Sequence, residues 1–264
     1  MRPTTLPFTA LLSICLSLRS AVAEESGTAW VTPHDSYSSS VGVLGCKINT
    51  NRVAYWPGSV SCNNLCVELS HAGRSVKLLR IDQSGGAHDV SYDAWNYLYT
   101  GKSAKEAPAT GGPVAMEWRN LPASSCKSLI KTDGNKLPLS ASNSMNFLAS
   151  CLEDPESWVA KNYVLYNILD SICTWGFNEK CKLDWPAANQ ADCENTMGAP
   201  VVLKGQAVYN VEYGTGKAVK ANSGGQDQDE NADSGSAKGG AGKVDITQLA
   251  GLVSIMMAWS LLGW

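Results

Sequence analysis

Apolar and polar positions divide this chain into stretches of different texture. Leu6–Leu18 is mostly apolar and carries no charge, and Ile246–Trp264 is largely apolar to the last residue. Glu24–Ser40 reads as a polar lead-in containing Trp30, Asp35 and Tyr37. Val41–Trp118 holds short β patterns. Arg52–Trp56 alternates in part and Cys66-Val67-Glu68-Leu69 alternates cleanly. Ser75–Ile81 puts Val76 and Leu78 on one face, and Val114–Trp118 is a further candidate strand. Gly73, Gly85-Gly86 and Gly111-Gly112-Pro113 punctuate these runs as turns. A helix interrupts them. Ser91 stands at its N-cap and Asp93 in its first turn, Ala94, Trp95, Leu98 and Tyr99 recur at helical spacing, and Gly101 is the stop.

Beyond Cys126 the texture becomes helical. Ser142–Leu152 predicts one helix. Asp154-Pro155-Glu156 opens a longer one, in which Trp158, Asn162, Leu165, Tyr166, Leu169 and Cys173 form an amphipathic stripe. Val201–Tyr213 returns to alternation. From Ala221 the chain is Gly, Ser, Asp, Asn and Gln, too polar to offset its ordering entropy, and reads as a disordered stalk over 221–245.

The two apolar ends read as targeting segments. Arg2, the Leu6–Leu18 run and Ala21-Val22-Ala23 form a signal peptide over 1–23, so the mature chain begins near Glu24. The run is shorter than the roughly 20 apolar residues of a membrane span. At the other end Ser234-Gly235-Ser236 is a small-residue triplet, Ala237–Asp245 a polar spacer and 246–264 a removable tail. That order is a glycosylphosphatidylinositol signal with attachment at Ser234. Asn222-Ser223-Gly224 and Gly239-Gly240-Ala241 are other small-residue sites, and an ordinary C-terminal span is the competing reading. These segments imply an extracellular protein held at the outer face of the plasma membrane or in the cell wall through lipid.

The formal charge is −3, and without the two end segments 17 basic and 23 acidic residues remain. Nucleic acid is therefore an unsuitable partner. Nine cysteines occur, and Cys15 leaves with the signal peptide. Cys46, Cys62, Cys66, Cys126, Cys151, Cys173, Cys181 and Cys193 remain, an even set that implies four disulfides. Spacing does not give the pairing; the simplest expectation pairs the first four among themselves and the last four within the second half. His34, His71 and His88 are scattered, so neither a metal site nor a cofactor is expected. There is no N-glycosylation sequon. The protein is expected to be a monomer.

Several short motifs keep a shared order: Tyr37, Gly45-Cys46, Leu65-Cys66, Gly73-Arg74-Ser75-Val76, Ile81-Asp82, Asp89-Val90-Ser91 before the Ala94-Trp95-x-x-Leu98 helix, and Val114–Trp118. Over residues 35–126 this order resembles the six-stranded double-psi β-barrel of fungal expansin-like proteins, loosenins and family 45 endoglucanases. The resemblance implies a mainly β fold with a six-stranded barrel over 24–126; the residue spacing after it, which matches no named family, predicts a disulfide-stapled, mostly helical extension over 127–220. Leu65-Cys66 lacks the family's glycine. Two departures bear on function: the Gln83–Ala87 loop lacks the family's two cysteines, and no acid matches its base position.

The resemblance also implies an open groove for a polysaccharide chain, with Asp89 at the acid position. The base position lies on the first strand near Tyr37, where Asp35 is the nearest carboxylate. Asp82, Asp89, Tyr37, Trp56 and Trp118 are the expected sugar contacts, Trp56 because it precedes the Pro57-Gly58 turn. Trp95 reads as core and His88 as a loop residue. Three functions follow. The first is non-hydrolytic binding and loosening of wall polysaccharide, glucan or chitin. The second is endoglucanase or lytic transglycosylase chemistry through Asp89, which by inversion needs two carboxylates roughly 6.5–9.5 Å apart. The third is an effector or protease-inhibitor scaffold.

Overall fold

Six strands close into a barrel in a computed structural model that describes residues 25–222. They are β1 (Ser26–His34), β2 (Val53–Pro57), β3 (Cys66–His71), β4 (Arg74–Ser84), β5 (His88–Ser91) and β6 (Val114–Leu121). The order around the barrel is β1-β5-β2-β4-β3-β6. β1 runs parallel to β5 and β2 parallel to β4, and the remaining pairs are antiparallel. The signal-peptide, stalk, Ser234 and tail assignments lie outside the described residues. Among the described residues no helix is long and apolar enough to cross a membrane.

The lead-in expected at Glu24–Ser40 is the first barrel strand. Its alternation is masked because the large apolar residue points the wrong way. Ala29 and Val31 are buried, whereas Trp30 between them is 68% exposed.

On β2 and β4 residues of opposite parity fall into two apolar clusters, one inside the barrel and one outside it. Val31, Ala54, Trp56, Val67, Leu69, Leu78, Val90 and Met116 fill the barrel, with Trp95 and Leu98 packed against them. Those two belong to α1 (Tyr92–Thr100), which packs on β1, β3, β4 and β5. Gly101 ends α1 in the left-handed region at φ 85°, where a Cβ is unfavourable. The Arg74 guanidinium donates to the last carbonyls of the helix, Leu98 O at 2.7 Å and Tyr99 O at 3.2 Å. Ser91 precedes α1 as expected, but its hydroxyl accepts from the Val53 N–H and does not cap the helix.

The opposite parity of β2 and β4, with Val53, Tyr55, Leu79 and Ile81, packs outside the barrel against a second layer. That layer is a three-stranded sheet of β7 (Leu137–Ser140), β8 (Tyr163–Ile168) and β9 (Gly176–Cys181), with α2 (Met145–Leu152) and α3 (Trp158–Lys161) beside it. The second half is thus mainly a sheet, which corrects the expected mostly helical extension. The long helix expected from Pro155 is a single turn, Trp158–Lys161, that ends at Asn162, whose φ of −137° and ψ of 47° leave helical space. Leu165–Ile168 are all buried because β8 is central and covered on both faces. A strand buried on both faces has no apolar–polar alternation with a period of two, so its spacing imitated a helical stripe. A small hairpin, β10 (Tyr209–Val211) with β11 (Ala218–Lys220), ends the described chain.

The cysteines form four disulfides: Cys46–Cys173, Cys62–Cys151, Cys66–Cys126 and Cys181–Cys193. The last two pair within halves as expected, whereas the first two join the barrel half to the sheet half and correct that expectation. Four disulfides fit an extracellular protein. Because the sheet layer covers one flank of the barrel, the flank of β5, β1, β6 and β3 is left to solvent. Thr28, Trp30, Ala115, Glu117 and Arg119 are all exposed there.

Candidate functional site

Register places Thr32, Asp89, Tyr55 and Asp82 in one line across four neighbouring strands. Thr32 pairs with Asp89, Asp89 with Tyr55, and Tyr55 with Asp82. The environments along this line differ sharply. The Thr32 hydroxyl donates to Asp89 Oδ1, and both residues are half-buried. Asp89 Oδ2 has no hydrogen-bond partner among the described residues and is not sealed from water. Asp89 is therefore an oriented acceptor at the surface.

Asp82 is 8% exposed, and both of its oxygens are engaged. Oδ2 accepts from the Ser38 hydroxyl at 2.5 Å, and Oδ1 accepts from the Ser40 and Gln83 N–H groups, each at 2.8 Å. This carboxylate anchors the loop after β1 and is not open to a sugar, contrary to its expected contact role. Tyr37 is likewise buried. Its hydroxyl donates to Val43 O at 2.7 Å, and its ring lies so close to Gly45 that a Cβ there would come within 2.6 Å. Its ring face is covered, so it offers no sugar platform. Burial pushes the phenols of Tyr37 and Tyr55 up, with the Asp82 charge adding in the same direction.

Asp35 and Tyr37 lie beyond the end of β1, so strand alternation does not place them on one face of the barrel. Asp35 is exposed and accepts from the Tyr213 N–H at 3.3 Å, which ties the β10–β11 hairpin to this loop. Trp56 reverses its expectation of exposure. It is 3% exposed, because its position on β2 has inward parity. Its ring makes edge contacts with His88 at 4.9 Å and Trp118 at 5.2 Å, and the Arg80 guanidinium sits 5.8 Å from it. Trp118 is half-buried and keeps one edge at the surface.

His88 belongs to β5 and not to a loop. Burial lowers its imidazole below the ordinary 6.5, and the Arg80 charge adds to this while Asp89 opposes it. Unfolding returns the group to its ordinary value, so the unfolded chain binds more protons between the two values. Stability is therefore expected to rise with pH through that window, up to about 6.5, and to be lost on acidification. Melting temperatures at pH 5 and pH 7.5 check this. The difference should shrink in His88→Asn.

Trp30 is a site residue that sequence reasoning missed. Its indole stands on the same face of β1 as Thr32, two residues away, or about 6.7 Å along the strand. Its direct neighbour on β6 is Ala115, whose small side chain leaves the ring uncrowded. No periodicity marks an exposed tryptophan, so only the closed barrel reveals it. Beside it, β1, β6 and β3 frame an open cleft of about 440 Å³. Thr28, Glu68, Ser70, Glu117, Trp118 and Arg119 are among its lining residues. Comparison with known proteins finds no matching family, no curated relative and no matching solved structure.

Proposed function

We propose that this is a cell-surface protein that binds wall polysaccharide without cleaving it, on a barrel of the expansin-like double-psi kind. In this reading the chain is exported and held to the membrane by lipid at Ser234, and its ligand is a glucan or chitin chain. One observation carries the reading: the Thr32–Asp89 pair lies beside the open indole of Trp30 on the uncovered flank of the barrel. A flat aromatic face receives the apolar C–H face of a sugar, and the free Asp89 oxygen accepts from its hydroxyls. Competition for such contacts separates polymer chains without breaking a bond.

Asp89 stands without a free carboxylate partner along its own line. Asp82 is engaged by the loop after β1, and Asp35 is engaged by Tyr213 beyond the end of that strand. Cleavage by inversion needs a second carboxylate acting as base.

Retention on cellulose, chitin and β-glucan tests the proposal. Trp30→Ala is expected to weaken retention about tenfold, or ~1.4 kcal/mol, with Asp89→Asn weakening it further in combination. No retention of the wild type on any of the three polymers overturns it. Reducing-end release that disappears in Asp89→Asn replaces it with the hydrolytic reading.

A further inference from the structure

The outward positions of β1 are Ser26, Thr28, Trp30, Thr32 and His34. At ~3.3 Å per residue they make a strip of about 26 Å, long enough for several sugar rings laid end to end. The Thr32–Asp89 pair stands one outward position in from its His34 end, about 13 Å along the strand from the Thr28–Glu117 row. The other end runs into the cleft between β1, β6 and β3.

That cleft is built from two adjacent register rows. In one, Ser26, Arg119 and Glu68 lie side by side, and Arg119 donates to Glu68 from Nε at 3.1 Å and from Nη2 at 2.9 Å. This pair holds the row in place. In the other, Thr28, Glu117 and Ser70 lie side by side, and none of their side chains has a hydrogen-bond partner among the described residues. The Trp118 indole lies across β1 at Gly27, where a Cβ would come within 3.2 Å of its Nε1. Glycine at this position lets the ring lie flat there.

We propose that this cleft is a distal subsite of the same groove and that the ligand is a straight, extended, uncharged polysaccharide reaching from Asp89 past Trp30 to Glu117. The inference rests on the polysaccharide reading above. The chemistry matches at each step. Glu117 is acceptor-only and suits a neighbouring pair of sugar hydroxyls, while Ser70 and Thr28 both donate and accept. Two carboxylates against one guanidinium disfavour an acidic polymer. The row is straight along one strand, so a chain that coils away from it loses the far contacts.

Titration of the mature wild-type protein with cello-oligosaccharides of two and six rings tests this, alongside Glu117→Ala and Trp30→Ala. Glu117 is exposed, so its replacement leaves the fold intact, and circular dichroism verifies that. The expected result is at least tenfold tighter binding of the six-ring than the two-ring sugar by the wild type. Glu117→Ala should abolish that gain and leave two-ring affinity unchanged, whereas Trp30→Ala should weaken both. A length gain that persists in Glu117→Ala, or no length gain in the wild type, overturns the distal subsite and leaves the polysaccharide reading standing. No binding at either length overturns both.

Discussion

Replacing Cys46 and Cys173 together by serine is expected to lower the unfolding free energy by about 4 kcal/mol. Cys46 sits in a short 3-10 turn (Gly45–Lys47) after β1, and Cys173 lies between β8 and β9, so this bond joins the two layers. The residues are 127 apart, but the full loop is not what the bond closes. Cys62–Cys151 is nested inside it, and the remaining covalent ring is about 40 residues, for which loop-closure entropy is worth about 4 kcal/mol. Cys173 also holds a left-handed backbone, φ 59°, which the cross-link helps to maintain. Urea unfolding of the double variant, with the other three bonds verified by mass under non-reducing conditions, measures the effect. A loss under about 1 kcal/mol would show that the shared core alone holds the layers together.

Asp93→Ala is expected to cost about 3 kcal/mol. Asp93 reads from sequence as a first-turn acid serving the helix dipole, a surface role worth well under 1 kcal/mol in most settings. In the fold it is 6% exposed and does more. Oδ2 accepts from Arg52 Nη1 at 2.8 Å, at the start of β2, and Oδ1 accepts from the Ala104 N–H at 2.9 Å, in the loop after α1. One carboxylate thus joins a barrel strand, a helix and the segment that follows it. Its loss strands a half-buried guanidinium and a buried N–H. The figure lies at the low end for buried pairs because the Arg52 side chain keeps 24% of its surface in water. A double-mutant cycle with Arg52→Ala should show coupling of at least 1 kcal/mol, and additive losses would refute the pair as the cause.

Local signals served where one face of an element is wet and the other dry. Glu68 among Cys66, Val67 and Leu69 marks β3, Val76 and Leu78 mark β4, and Gly101 marks the end of α1. They failed at β8, covered on both faces, and at β1, where the exposed residue is a tryptophan. The site was legible in one of its members. Asp89 follows from the motif order, but its partner Thr32 lies 57 residues away and is chosen by the parallel register of β1 and β5. For the same reason Trp56, expected at the surface, is buried, and Trp30, for which no role was expected, is exposed.

From its residues alone the chain specifies a cysteine-rich sequence suited to disulfides, a β-rich region ending near Trp118 and a short helix with a glycine stop. Closure of the barrel decides which cysteines meet, which aspartate remains free and which indole meets water. The physical reason is parity. Side chains alternate across a strand, so shifting one register by a single residue exchanges inside for outside, and register is set by partners far away along the chain.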